Sequence, residues 1–141
     1  MKKIMVINGV NLNMLGIREP DVYGHQSYDD LLNYIGKYAK EKGIEVYFYQ
    51  SNHEGDIVDC IQECYFKKID GIIINPGAYT HYSYAIHDAI KGVNIPTIEV
   101  HISNLTTRED FRQNSVIKPA CIAQIMGKGF DSYIEAIDML I

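Results

Sequence analysis

Gly71-Ile72-Ile73-Ile74-Asn75 decides the fold. Three isoleucines in unbroken succession leave no polar side for water. A strand without alternation is covered on both faces, as in parallel sheets flanked by helices. Upstream, Ile4-Met5-Val6-Ile7 is another short apolar strand, and Ile44 to Tyr49 alternates as a strand. Ser27 to Lys42 and Glu54 to Lys67 carry helical period. In the first of these Ser27 reads as the N-cap, Asp29 and Asp30 sit in the opening turn, and Gly43 is the stop. Downstream, Ser83 to Lys91 reads as a helix, Thr97 to His101 as a strand, Pro119 to Ile125 as another and Phe130 to Leu140 as a closing helix. Strands alternating with helices predict βαβ units. The expected fold is α/β: a flavodoxin-like, doubly wound five-stranded parallel sheet with helices on both faces, in one domain over residues 1–141.

The composition is ordinary for a single globular domain. Its 141 residues suffice to bury about two thirds of the unfolded surface. A formal net charge of −5 argues against a nucleic-acid partner, which needs a basic stripe, yet leaves room for a small anion held by local cations. Cys60 and Cys64 lie four apart on one predicted helix face, and the cysteines match no CxxC pattern, so they read as buried, reduced thiols. The apolar run after Lys2-Lys3 ends at Asn8-Gly9, too soon for a signal peptide, and no run is long enough to span a membrane. A cytoplasmic location is expected. His25, His53, His81, His87 and His101 show neither HxxxH nor HExxH spacing, so no metal site is expected.

In such sheets ligands sit beyond the carboxyl ends of the strands. The loops that matter are therefore Asn8–Ser27, Gln50–Gly55, Asn75–Tyr82 and His101–Ser115. The chain has only three arginines, Arg18, Arg108 and Arg112, and all fall in these loops, whereas the ten lysines lie mostly in helices and at element ends. A guanidinium fork suits a carboxylate and stays charged at any working pH. Period two puts Glu99 and His101 on one face of their strand. A carboxylate beside an imidazole orients it and keeps its proton available, as a general acid requires, although the same spacing also fits a surface ion pair. Asn75, at the end of the buried strand, can donate to a developing oxyanion or cap a turn.

The first loop is the longest, and its 17 residues from Asn8 to Gly24 exceed the usual connection. It holds Arg18 and Tyr23 five positions apart, with Gly16, Pro20 and Gly24 around them, a composition suited to a lid. An ordinary tyrosine titrates near pH 10, so ionising it near neutrality takes about 4 kcal/mol. One adjacent cation lowers a pKa by about 1–3, which makes Arg18 the natural partner of a Tyr23 phenolate.

Together these segments resemble the type II 3-dehydroquinate dehydratase family. The resemblance rests on Asn11-Leu12-Asn13-Met14-Leu15-Gly16 with Arg18-Glu19-Pro20 and Tyr23-Gly24, and on Gln50-Ser51-Asn52-His53-Glu54-Gly55. It rests equally on Asn75-Pro76-Gly77-Ala78-Tyr79-Thr80-His81 and on Glu99-Val100-His101 with Ser103-Asn104, Arg108-Glu109, Phe111-Arg112 and Ser115. It implies a cofactor-independent hydro-lyase that converts 3-dehydroquinate to 3-dehydroshikimate in the shikimate pathway of aromatic amino acid biosynthesis, assembled as a dodecamer, a tetramer of trimers. By family role Tyr23 is the base, ionised beside Arg18. Asn75 with a bound water stabilises the enolate, His101 protonates the departing hydroxyl under the guidance of Glu99, and Asn11 helps to place these groups. His81, Arg112 and the backbone at Ile102-Ser103 bind the substrate, Arg108 helps to close the lid, and Asp88 reaches the site of a neighbouring subunit. Two residues depart from the family pattern: Val10 stands where proline is usual, and Asn114 where many members have histidine.

Three other readings fit parts of the chain. A flavodoxin-type electron carrier needs a short Ser/Thr/Gly-rich first loop, and a receiver module needs an acceptor aspartate where Asn75 stands. A non-catalytic small-anion binding protein on the same fold is the third.

Overall fold

The computed structural model describes residues 1–17 and 26–141. Strands β1 (Lys3–Asn8), β2 (Glu45–Gln50), β3 (Gly71–Asn75), β4 (Thr97–His101) and β5 (Ala123–Met126) form one all-parallel sheet in the order β2-β1-β3-β4-β5. Helices α1 (Tyr28–Lys42), α2 (Glu54–Phe66), α3 (Tyr84–Val93) and α4 (Asp131–Leu140) cover it. The expected α/β doubly wound fold is the one observed. The strand order reverses between β1 and β3, and that switch point is where such sheets open a crevice.

The isoleucine run behaves as its composition demands, with every residue of β3 buried. Ile73 packs with Ile4, Val6, Leu31, Ile35, Ile98 and Ile137 under α1 and α4. Ile72 and Ile74 pack with Ile7, Ile57, Ile61, Ile86 and Ile90 under α2 and α3. Each fully buried aliphatic side chain contributes about 1.5–3 kcal/mol, so these two layers carry most of the fold's stabilisation. Helix α1 starts as expected: the Ser27 hydroxyl accepts from the Asp30 amide while the Asp30 carboxylate accepts from the Ser27 amide. It ends at Gly43 in the left-handed conformation (φ 69°).

The last strand differs from expectation. Pro119 belongs to a 3-10 turn, Lys118–Ala120, and β5 begins only at Ala123. Proline has no amide hydrogen for a ladder and its fixed φ suits the turn. Helix α3 runs two residues further than expected, to Val93, because Asn94 supplies the left-handed stop (φ 55°). The three cysteines are unpaired, and Cys60 and Cys64 are buried on the inner face of α2.

Register positions the site. Asn8 pairs with Asn75 across β1 and β3, and Ile74 pairs with Glu99 across β3 and β4. Because Ile98 and Val100 face α1 and α4, Glu99 and His101 face the other side. Asn8 and Asn75, each following a residue that faces α2 and α3, point toward α1 and α4.

Candidate active site

Beyond the carboxyl ends of β1, β3 and β4 a cleft brings together Asn11, Asn75, His81, His101, Ile102, Ser103, Arg108 and Arg112. Three close backbone approaches shape its floor. The Gly9 amide donates to the Asn75 carbonyl at 2.7 Å. A Cβ on Gly9 would stand 2.3 Å from the Pro76 carbonyl oxygen, and one on Gly77 (φ 65°) would stand 2.6 Å from that of Val10. Only glycine allows the loops after β1 and β3 to nest this closely. The Gln50–Gly55 loop is a strut beside the cleft. Asn52 Oδ1 accepts from the Asn11 amide (2.9 Å) and from Gln50 Nε2 (3.2 Å), and the Tyr79 hydroxyl donates to the Asn52 carbonyl (2.7 Å). These bonds support Asn11 in its left-handed conformation (φ 70°).

Glu99 and His101 form a buried pair, so the surface-pair alternative is set aside. The imidazole Nε2 lies 2.5 Å from Glu99 Oε2, with the Glu99 side chain fully buried and that of His101 6% exposed. A buried carboxylate needs donors. Thr80 Oγ1 donates to Oε2 (2.5 Å), and Ser115 Oγ lies 2.8 and 2.9 Å from the two oxygens. Burial opposes ionisation of Glu99. The His101 hydrogen bond and charge, joined by Thr80 and Ser115, outweigh it and hold the carboxyl below its ordinary value. With Nε2 committed to Glu99, Nδ1 is the nitrogen left to act on a ligand, and it can donate only when the ring is protonated.

Asn75 does cap its turn: Oδ1 accepts from the Gly77 amide at 3.2 Å. Its Nδ2 donates to the Tyr133 hydroxyl at 3.0 Å, and an amide has two such hydrogens, so one is left for the cleft that Asn75 lines. His81 Nδ1 lies 2.7 Å from the Asn114 carbonyl. A carbonyl only accepts, so Nδ1 carries a proton, and in the neutral ring Nε2 is the acceptor. This contact uses the main chain of Asn114, so the unusual side chain there leaves it intact. Arg112 Nε lies 2.8 Å from Glu109 Oε2, an ion-pair distance at an angle that makes no hydrogen bond. Its guanidinium also stacks 4.8 Å from the Phe111 ring centre. Arg108 Nη1 reaches Ser103 Oγ at 3.5 Å. Together these place two guanidinium groups on one wall of the cleft.

Asp88 is not in this cleft. It is exposed on α3, its carboxylate 2.9 Å from His87 Nδ1, at a separate groove between α2 and α3. Arg18 and Tyr23, with the second half of the expected lid, lie outside the described residues. Among the described residues no group of three or more His, Cys, Asp or Glu side chains could hold a metal ion, and no helix is long and apolar enough to cross a membrane. Sequence reasoning missed the roles of Thr80, Ser115 and Tyr133. A hydroxyl in an otherwise apolar helical stripe, Tyr133-Ala136-Ile137-Leu140, is the signal that marked the last of these.

A doubly wound sheet with a buried acid–imidazole pair, an amide and two arginines gathered at its switch point defines an α/β enzyme of the flavodoxin-like class. The chain belongs to the class II dehydroquinase family, whose family model matches residues 2–141. It is 66% identical over 137 residues to the 3-dehydroquinate dehydratase of Caldicellulosiruptor bescii, covering 97% of this chain and 94% of that protein. Among solved structures it is similar to the type II dehydroquinase of Butyrivibrio crossotus, with TM-score 0.97 and 61% identity over 99% of this chain and 97% of that one. The type II dehydroquinase of Propionibacterium acnes aligns with TM-score 0.95 and 38% identity, covering 99% and 96%.

Proposed function

We propose that this chain, acting as one catalytic domain, dehydrates 3-dehydroquinate to 3-dehydroshikimate through an enolate, with no metal or organic cofactor. The observation that carries the proposal is the convergence of His101, Asn75, His81 and two arginines on one cleft, in a chain of this family. The substrate is a β-hydroxy ketone with a carboxylate. Its dehydration needs a base beside the ketone, a stabiliser for the enolate oxygen, an acid for the leaving hydroxyl and a clamp for the carboxylate.

Tyr23, ionised by Arg18, removes the proton next to the ketone. The electron pair moves onto the ketone oxygen, where the remaining Asn75 N–H and a bound water meet the new charge. Protonated His101 then gives its Nδ1 proton to the hydroxyl; the C–O bond breaks, water leaves and the double bond forms. Glu99, bonded to Nε2, keeps the ring oriented for that step. Arg112 and the main chain at Ile102 and Ser103 hold the substrate's polar groups, His81 Nε2 accepts from a hydroxyl, and Arg108 closes the site.

The enone product absorbs in the ultraviolet. Enzyme purified with chelator should raise that absorbance in proportion to its concentration. Tyr23→Phe should abolish turnover and leave substrate binding nearly intact, and Arg18→Ala should lower kcat far more than it raises KM. No absorbance change from folded protein, or full activity in Tyr23→Phe, overturns the reading.

We also propose a dodecameric assembly in which Asp88 serves a neighbouring subunit's site. Supporting it, the groove beside Asp88 carries Tyr65 and Phe66, which are 60% and 73% exposed on this chain. Light scattering should give about twelve times the 16.1 kDa chain mass, and a monomer would exclude the assembly.

A further inference from the structure

We propose that Tyr133, on the closing helix, is a positioning residue for the reaction: its buried hydroxyl sets the orientation of the Asn75 amide through a directed chain of hydrogen bonds. The inference rests on the proposed role of Asn75 as enolate stabiliser. Tyr133 is fully buried on α4, far from Asn75 in sequence, and reaches the floor of the cleft from beneath the sheet.

The direction of the chain follows from donor and acceptor chemistry. The Tyr133 hydroxyl lies 2.6 Å from Asn8 Oδ1, an oxygen that only accepts, so the single phenolic proton goes there. The same hydroxyl lies 3.0 Å from Asn75 Nδ2, which only donates, so it receives that bond. Asn8 Nδ2 in turn donates to the Tyr28 hydroxyl at 3.4 Å. Burial pushes the Tyr133 phenol well above its ordinary value, against a smaller lowering from Asn75, so the phenolic proton stays in place at working pH.

The Asn75 amide is therefore fixed at two points. Its oxygen is held by the Gly77 amide and its nitrogen by Tyr133. A flipped amide would set its NH₂ against the Gly77 N–H and its oxygen against Tyr133, whose proton is already committed to Asn8. Two bonds would be lost in a site where Asn75 is 4% exposed and water cannot replace them. The correct flip is what leaves an N–H, rather than a lone pair, at the cleft. An oxyanion would be repelled by the alternative.

Steady-state kinetics of Tyr133→Phe tests this, because the change deletes one oxygen and keeps the ring that packs the core. The expected result is a fall in kcat of about tenfold to a hundredfold with KM within about twofold, in protein whose thermal midpoint shows that it is folded. The same substitution in an Asn75→Ala background should cost little further kcat, since its route of action is already gone. If Tyr133→Phe does not fold, Asn8→Ala replaces it. That change frees the phenolic proton to turn toward Asn75 and should lower kcat with KM likewise unchanged. Unchanged kcat in the folded variant, or an equal loss with and without Asn75, overturns the proposal. Full activity in Asn75→Ala alone would instead overturn the enolate-stabiliser reading.

Discussion

Two buried polar chains lie beneath the same cleft, one on each face of the sheet, and they are built on opposite principles. On the α2/α3 face, Glu99 is an ion with several donors at once: Thr80, Ser115 and His101. On the α1/α4 face, Asn75, Tyr133, Asn8 and Tyr28 are neutral and run in single file, one bond between successive members. The difference follows from desolvation. A buried carboxylate loses far more hydration than an amide or a phenol, so it survives only where several donors replace water. A neutral group needs only its own complement of partners. The ionic arm is redundant in its hydroxyl donors and depends on its charge; the neutral arm has no charge to lose and depends on geometry.

Removing the charge should therefore be the most damaging change to the ionic arm. Glu99→Gln keeps size and an acceptor oxygen but removes the charge that His101, Thr80 and Ser115 surround. We expect kcat to fall about a hundredfold or more, with KM changed only a few fold, measured by enone absorbance. Stability reports the same charge. Because the folded carboxyl titrates below its ordinary value, its contribution is present above about pH 4 and is lost as the pH falls through the lower folded value. Urea unfolding of the wild type should weaken across that acid range, and Glu99→Gln should flatten this part of the profile. A variant with full kcat, or with an unaltered acid profile, would make Glu99 a spectator.

The neutral arm should break through its backbone. Gly9→Ala puts a Cβ 2.3 Å from the Pro76 carbonyl oxygen, and the three nearest atoms all belong to the Pro76 main chain. We expect a loss of about 3 kcal/mol in urea unfolding, together with reduced kcat, since the turn that holds Asn75 Oδ1 must shift. Gly36→Ala is the matched control. It lies inside α1 with nothing within 4 Å of the added carbon and should gain up to about 1 kcal/mol. If both substitutions behave alike, close approach is not why glycine stands at position 9.

The two arms also differed in how far they could be read from sequence. Glu99 and His101 were legible because period two puts them on one face of a five-residue strand. The unbroken run at Ile72 to Ile74 disclosed a sheet covered on both sides, and the capping residues of α1 bounded that helix closely. The donors to Glu99 were not legible. Thr80 and Ser115 are 35 residues apart and meet only after the loops beyond β3 and β4 fold together. Tyr133 and Asn8 are 125 residues apart and on different elements, so no local pattern links them. Pro119 heads an apolar stretch that fits a strand by hydropathy, but its missing donor puts it in the turn before β5. Pairings set by tertiary closure leave no period to count, and those are what turn a list of candidate residues into an oriented site.

The smallest expected effects test redundancy itself. Thr80→Val deletes one donor to Glu99 Oε2, but Ser115 still approaches both oxygens and His101 still donates. The carboxylate should stay ionised and in place, so kcat should fall only about twofold to fivefold, with a stability loss of about 1 kcal/mol. Ser115→Ala should cost somewhat more, because the same hydroxyl also accepts from the Ile117 and Lys118 amides. Combining the two strips both hydroxyl donors, and the loss in kcat should exceed the product of the single losses, as coupled neighbours require. Strict multiplicativity would mean that each hydroxyl acts alone. A Thr80→Val loss as large as that of Glu99→Gln would mean that the ionic arm is as brittle as the neutral one, and the contrast between the two faces would then rest on charge alone.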